Sequence, residues 1–484
     1  MTQISSFQRD AAYVGGQWIG ADSGKTIPVI NPATGETMGA VPRCGRAETA
    51  RAIEAAHDAF SPWRARTAKE RAGILHRLAD IIEAQAKELA VLLTAEQGKS
   101  LAEATGEVKF SAAYVRWFAE EAQRVYGDVI PSPWPGRRIL VTREPVGVVG
   151  AITPWNFPSS MIARKLAPAL AAGCTIVVKP ASQTPYSGLA WGVLAEQAGI
   201  PPGVINVLTG SASEIGGELT SHPDVAKITF TGSTPIGKKL VEQCAGSLKR
   251  VSMELGGNAP FIVFDDADVD RAIQGAMIAK FRNSGQTCVC TNRFIVQSGI
   301  HDRFVEKLAA AVGALKIGNG MNAGVEQGPL IDIHAVEKVE EHITDAIAKG
   351  AKIVAGGKRH ALGRTFFEPT ILTGVGADAK LAREETFGPL APVFRFDTEQ
   401  EAVSMGNATE FGLASYFYTR DLARAFRVAD ALKCGMVGVN EGLITTEVAP
   451  FGGVKESGMG REGSKYGIED YLDIKYICMG GLDG

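Results

Sequence analysis

The 484-residue chain is 45% apolar and 21% charged, enough to bury a large core divided among two or three domains. Its 50 Lys and Arg against 53 Asp and Glu leave a net charge of −3, so no basic face invites nucleic acid or an anionic membrane, and small molecules are the expected partners. MTQISSFQRDAAYVGGQW at the N-terminus has neither an apolar signal core nor Arg-rich transit character, and the most apolar run, residues 166–178, contains Pro168 and is too short to span a bilayer. Seven scattered cysteines, an odd number, fit a reducing cytoplasm better than a disulfide framework.

After Gly45, residues 47–60, 69–97 and 110–125 carry apolar residues at three- and four-residue spacing, which predicts amphipathic helices covering another layer. Residues 126–147, YGDVIPSPWPGRRILVTREPVG, turn to Pro and Gly punctuation and a short β-like run, the pattern of a protruding hairpin. From Val146 to Glu254 the runs VGVVGAI, TIVV, VINVL, KITF and RVSMEL alternate with helical stretches. Runs that are apolar on both faces predict a parallel sheet covered by helices, with ligands beyond the carboxyl ends of its strands. A second alternating region follows, from NAPFIVF through RFIVQ, AKIVAG and ASYFYT to GMVGVN.

Several strand ends carry chemistry. In FTGSTPIG, Gly232 and Gly237 frame a turn into a helix that would accept a pyrophosphate, or a plain turn in which Ser233 or Thr234 caps the helix. TIVV runs into KPAS, where a dinucleotide fold that prefers NAD puts an acid; Lys179 and Ser182 stand there instead and would tolerate a 2′-phosphate. Asn156 of ITPWNFP is either an oxyanion donor or the satisfier of a turn, and Glu254 of MELGGNAP either a general base or a turn carboxylate. Cys288 and Cys290 lie one residue apart in FRNSGQTCVC. A cysteine nucleophile needs its thiolate, whereas a buried cysteine is an ordinary small hydrophobe. No His lies close in sequence to Cys288 and none has metal-ligand spacing, which argues against a papain-like hydrolase and against a metal site.

Taken together, PWNFP, KPASQTP, FTGSTPIG, MELGGNAP, GQTC, EETFGPL and PFGGVKESGMGRE resemble the aldehyde dehydrogenase superfamily in order and spacing, over nearly the whole chain. Within it the chain is most similar to the bacterial NADP-using succinate-semialdehyde dehydrogenases. The resemblance implies an α/β fold with a Rossmann-type dinucleotide-binding domain (residues 1–127 and 147–254) and an α/β catalytic domain (255–460). An oligomerisation hairpin with the C-terminal strand (128–146 and 461–484) completes it, in a cytoplasmic homodimer or homotetramer. It assigns Cys288 as nucleophile, Glu254 as base and Asn156 as oxyanion donor. It places Thr153, Pro154, Trp155, Asn156, Lys179, Pro180, Ser182, Gly232, Ser233, Gly237, Leu255, Glu385 and Phe387 around an NADP cofactor, with NAD also accommodated and no metal.

The same resemblance gives Arg164, Arg282 and Thr445 to the far carboxylate of a semialdehyde, with Thr445 standing where a serine is usual; internal salt bridges are the other reading of the two arginines. Succinate semialdehyde is the expected substrate, and glutarate semialdehyde or glyceraldehyde 3-phosphate the alternatives. A catalytically silent protein on the same fold is the reading from another class. Cys290 is a candidate redox partner for Cys288 or a packing residue.

Overall fold

The five runs between Val148 and Glu254 form the middle of an eight-stranded sheet. In the computed structural model, which describes residues 4–482, the order is Gly458–Met459, Arg250–Glu254, Val225–Thr231, Val148–Ile152, Thr175–Lys179, Ile205–Val207, Ala12–Val14 and Gln17–Ile19. The five central strands are mutually parallel, as their two-faced apolar character requires. Chain order runs outward in opposite directions from Val148–Ile152, which makes the crevice beside it the switch point where such sheets bind ligands. Thr153, Lys179, Gly232 and Glu254 all lie at or just past the carboxyl ends of these strands.

Helices fill both faces. The expected helix over 69–97 is two helices, Ala68–Ala84 and Ala86–Gln97, because Gln85 leaves helical geometry at φ −107°, ψ 15°. Ser160–Ala172 continues through Pro168, with every residue buried. Ser100 opens Leu101–Glu121 with a capping box closed by Glu103.

The second α/β region is a seven-stranded sheet ordered Lys352–Ala355, Thr370–Thr373, Leu390–Phe396, Thr291–Gln297, Ala259–Val263, Ala414–Tyr418 and Met436–Val439. Only the first of these pairs antiparallel to its neighbour. The hairpin is present as Asp128–Ile130 and Arg138–Pro145, extended antiparallel by Leu472–Met479 into a three-stranded sheet. Its outer residues Val129, Ile474 and Tyr476 are well exposed. Residues 458–459, read from the sequence as the end of the catalytic segment, pair instead with Arg250–Glu254 in the first sheet. Among the described residues, no helix is long and apolar enough to cross a membrane.

Candidate active site

Cys288 follows a backbone that only a supported loop could hold. Asn283, Ser284 and Gly285 take φ of 51°, 58° and 75° in succession, a left-handed run that costs the two non-glycine residues about 1 kcal/mol each or more. Glu103 Oε1 accepts the Asn283 N–H at 2.7 Å, Gln97 Nε2 donates to Asn283 Oδ1 at 3.0 Å, and Ser284 Oγ donates to the Gly328 carbonyl at 3.0 Å. A Cβ on Gly285 would come within 2.3 Å of the Gly388 carbonyl oxygen, and one on Gly257 within 2.5 Å of the Cys288 carbonyl oxygen. The glycines therefore let the cysteine loop lie flush against the two segments that carry Glu254 and Glu385.

Asn156 is wired into the same loop. Its Nδ2 donates one hydrogen to the Gln286 carbonyl at 3.0 Å, which leaves the second amide hydrogen for another acceptor. Its backbone carbonyl accepts from Asn283 Nδ2 at 2.9 Å and from Lys99 Nζ at 2.7 Å. Lys99 is buried and ion-paired to Glu107 at 2.6 Å, and Glu107 Oε1 accepts the N–H groups of Ser159 and Ser160. Among the described residues, no hydrogen bond uses the backbone N–H of Cys288. The second Asn156 amide hydrogen and the Cys288 N–H are thus two free donors of the cysteine loop.

Cys288, Arg164, Arg282 and Thr445 line one cavity of about 290 Å³, walled by Phe110, Phe157, Met161, Val289, Leu443 and Phe451. The two arginines differ. Arg164 is 2% exposed, lies 3.6 Å from Glu462 and rests on the Phe451 ring at 4.2 Å. Arg282 has no carboxylate partner among the described residues; its Nε, like that of Arg164, is unbonded there, and its guanidinium sits 5.5 Å from the Phe157 ring. Burial pushes the Cys288 thiol up to about 12, with the carboxylates of Glu385, Glu254 and Glu462 adding to the shift and Arg164 opposing it. The thiol is therefore protonated at neutral pH until positive charge is brought near it.

Glu254 is 4% exposed, and both its carboxylate oxygens lack partners among the described residues. Burial and the nearby Glu462 raise its carboxyl well above the usual carboxylate range, against the pull of Lys165, Arg164 and Arg461. Lys165 Nζ bonds Glu462 and, at 2.6 Å, Thr231 Oγ1, so a buried lysine and a second carboxylate stand behind the first. A Cβ on Gly452 would fall 2.9 Å from Glu254 Oε1. Lys99, Glu103, Glu107, Lys165 and Glu462 are functional neighbours that motif reading missed. Glu462 is the last residue of PFGGVKESGMGRE and Lys165 follows Arg164, but they are 297 residues apart and their pairing is visible only in the fold.

The dinucleotide candidates lie along the crevice. Lys179 is 5% exposed, its ammonium has no bonding partner among the described residues, and burial lowers that ammonium to about 8. Such a lone buried cation fits an anion, and the partly exposed Ser182 follows it. Ser233 precedes the helix Thr234–Ala245 but makes no side-chain capping bond, which leaves the helix end open. A Cβ on Gly237, in the first turn of that helix, would fall 2.3 Å from Leu255 Cδ2, so the helix start lies directly against the Leu255 side chain. Thr153 Oγ1 is buried and unbonded, and Trp155 packs edge-on against Phe387 at 5.5 Å. Glu385 Oε1 accepts the Gly257 N–H at 3.1 Å, while burial raises its carboxyl to about 7. The orphaned hydroxyl, the lone lysine and the uncapped helix end are the groups a dinucleotide would satisfy.

Cys290 is elsewhere. It is buried, with its sulfur 3.4 Å from Lys280 Nζ and 3.3 Å from the Lys280 carbonyl oxygen, whereas Cys288 faces the cavity.

Residues 18–477 match the model of the aldehyde dehydrogenase family. The chain belongs to the aldehyde dehydrogenase family. It is 65% identical over 98% of both chains to a glutarate-semialdehyde dehydrogenase of Pseudomonas aeruginosa. It is 63% identical to a 3-sulfolactaldehyde dehydrogenase of Pseudomonas putida, covering 99% of this chain and 98% of that one. It is also 59% identical to the NADP-dependent succinate-semialdehyde dehydrogenase of Escherichia coli K12, over 98% of this chain and 99% of that one.

Proposed function

We propose that this aldehyde dehydrogenase oxidises a short anionic semialdehyde, succinate semialdehyde first, to the dicarboxylate, with NADP as the preferred acceptor and NAD as the lesser one. The observation that carries the reading is the unpaired guanidinium of Arg282 in the same cavity as the Cys288 thiol. An uncharged aldehyde would leave that cation without a partner, and an anionic tail would satisfy it. Glutarate semialdehyde is the second reading, favoured by the Pseudomonas aeruginosa relative.

In this reading Lys179 and Ser182 hold the adenosine-ribose phosphate, Gly232, Ser233 and Gly237 the pyrophosphate, and Glu385 the nicotinamide ribose, with Phe387 beside the ring. When bound, the oxidised nicotinamide supplies a hydride acceptor and a positive charge. Cys288 attacks the aldehyde carbon as thiolate, forming a thiohemiacetal whose oxyanion takes hydrogen bonds from the Asn156 amide and the Cys288 N–H. Loss of hydride leaves a thioester on Cys288. Glu254 then draws a proton from water so that the hydroxide releases the acid, and the Lys165–Glu462 pair behind it lowers the cost of moving that proton. The exposed edge of the three-stranded sheet fits self-association into a dimer or tetramer of a cytoplasmic enzyme.

Steady-state kinetics with succinate semialdehyde, glutarate semialdehyde and 3-sulfolactaldehyde, each with NADP and NAD, test the assignment. Highest kcat/KM with succinate semialdehyde and NADP is expected. A higher value for either other aldehyde overturns the substrate, and full activity in Cys288→Ser overturns the mechanism.

A further inference from the structure

One imidazole holds both sequence neighbours of Glu385. His342, on the helix Ile333–Ala348, is fully buried. Its Nδ1 is 3.0 Å from Thr386 Oγ1 and its Nε2 is 3.3 Å from Glu384 Oε2. A neutral ring with its proton on Nε2 satisfies both contacts at once: Nε2–H donates to the Glu384 carboxylate, and the Thr386 hydroxyl donates to Nδ1. Burial and Lys338 on the same helix disfavour the charged ring, against Glu384 and Glu341, and the balance lowers its pKa. Lys380, on the turn that leads into the loop, is ion-paired to Glu341 and so adds no free charge against the ring.

The loop has little slack around this anchor. Thr386 is buried, and Phe387 takes φ of 55°. A Cβ on Gly388 would fall 2.5 Å from Val339 Cγ2, so the backbone beyond Phe387 lies directly on the helix that carries His342. Glu385 is the one carboxylate of the loop turned the other way, toward the Gly257 N–H.

We infer that His342 is a positioning residue for the cofactor: by holding Glu384 and Thr386 it fixes the backbone between them and aims the Glu385 carboxylate at the nicotinamide ribose. The inference rests on the reading of Glu385 given above. His342 acts through the loop and touches no cofactor atom itself.

The test is a double-mutant cycle on the full chain, with NADP dissociation constants measured by calorimetry in the absence of aldehyde. Thr386→Val removes the bond to Nδ1, and His342→Leu removes that bond together with the one to Glu384, while both keep the site apolar. Thr386→Val is expected to raise the NADP dissociation constant about fivefold, the worth of one ordinary hydrogen bond, and His342→Leu at least as much. The double variant should lie within roughly twofold of His342→Leu, because the Thr386 contact is already lost when the ring is removed. The KM for semialdehyde should stay unchanged, a split that general loosening of the fold would not give. Additive losses, or unchanged NADP affinity in either single variant, overturn the inference. Glu385→Gln measured in parallel separates the two readings. If it weakens NADP while His342→Leu does not, the ribose reading stands and the positioning role falls; if His342→Leu weakens NADP while Glu385→Gln does not, the route through Glu385 is wrong.

Discussion

Replacing Arg282 with alanine removes the unpaired cation from the cavity while disturbing little else. The side chain donates to no carboxylate among the described residues, and its contact with Phe157, at 5.5 Å, is an exposed-type cation–π pair worth about 0.5–1 kcal/mol. Folding stability should therefore fall only slightly. A hydrogen bond to a charged group contributes about 1.5–3 kcal/mol, which corresponds to roughly 10- to 150-fold in kcat/KM for a substrate that carries the carboxylate. Arg164 lines the same cavity but lies against Glu462 at 3.6 Å and Phe451 at 4.2 Å, so it replaces the lost charge only by giving up those contacts. The assay compares kcat/KM for succinate semialdehyde and butanal at saturating NADP in the parent and in Arg282→Ala. The expected result is a loss within that range for the semialdehyde and a change of no more than about twofold for butanal. Equal losses for both aldehydes, or none for either, would refute the carboxylate role.

Lys179→Met should weaken NADP binding by about tenfold or more and leave NAD nearly unaffected, since the only group lost is the lone buried ammonium; calorimetry with both dinucleotides checks this. Iodoacetamide labelling of Cys288 in the chain without dinucleotide should rise steeply with pH, close to tenfold per unit from about pH 7 to 9, because the thiol is raised to about 12 and the thiolate fraction scales with pH below that value. A plateau below pH 8, read by mass spectrometry of the labelled peptide, would contradict it. Ile474→Asp, on the exposed face of the three-stranded sheet, should lower the mass seen by light scattering toward that of a single chain.

What could be read from the sequence divides along physical lines. The parallel core was legible because strands buried on both faces must be apolar throughout, and the strand-end motifs were legible because turns that approach a ligand demand particular residues, as Gly237 against Leu255 and Gly257 against Cys288 show. The N-terminal strands Ala12–Val14 and Gln17–Ile19 were missed: three residues give no period to recognise, and their place at the sheet edge is set by pairing with Ile205–Val207. The break at Gln85 was invisible because both helices keep compatible apolar spacing. Arg164 shows the limit for charged groups. Its sequence context allowed either a substrate contact or an internal pair, and the fold sets it between the two, with the cavity on one side and Glu462 on the other.

The support behind the site was least legible, for a reason that concerns the chemistry as well. Lys99, Glu107, Lys165, Glu462 and His342 are charged or polar residues in segments that read as ordinary helix or turn; their meaning comes from being buried together. Left alone, each would cost several kcal/mol to bury, so each exists inside only because its partner is there. Lys99 reaches the Asn156 backbone carbonyl and Glu107 the start of the following helix, so that pair fixes the position of Asn156. Lys165 holds Glu462, which in turn sets the charge felt by Glu254. Breaking the second pair with Glu462→Gln removes the carboxylate that pushes Glu254 upward and leaves Lys165 to pull it down. The acid limb of the kcat pH profile should then move to lower pH, while thioester formation, followed as the pre-steady-state burst of NADPH, keeps its amplitude. An acid limb that stayed in place would mean that Glu254 is tuned by its burial alone.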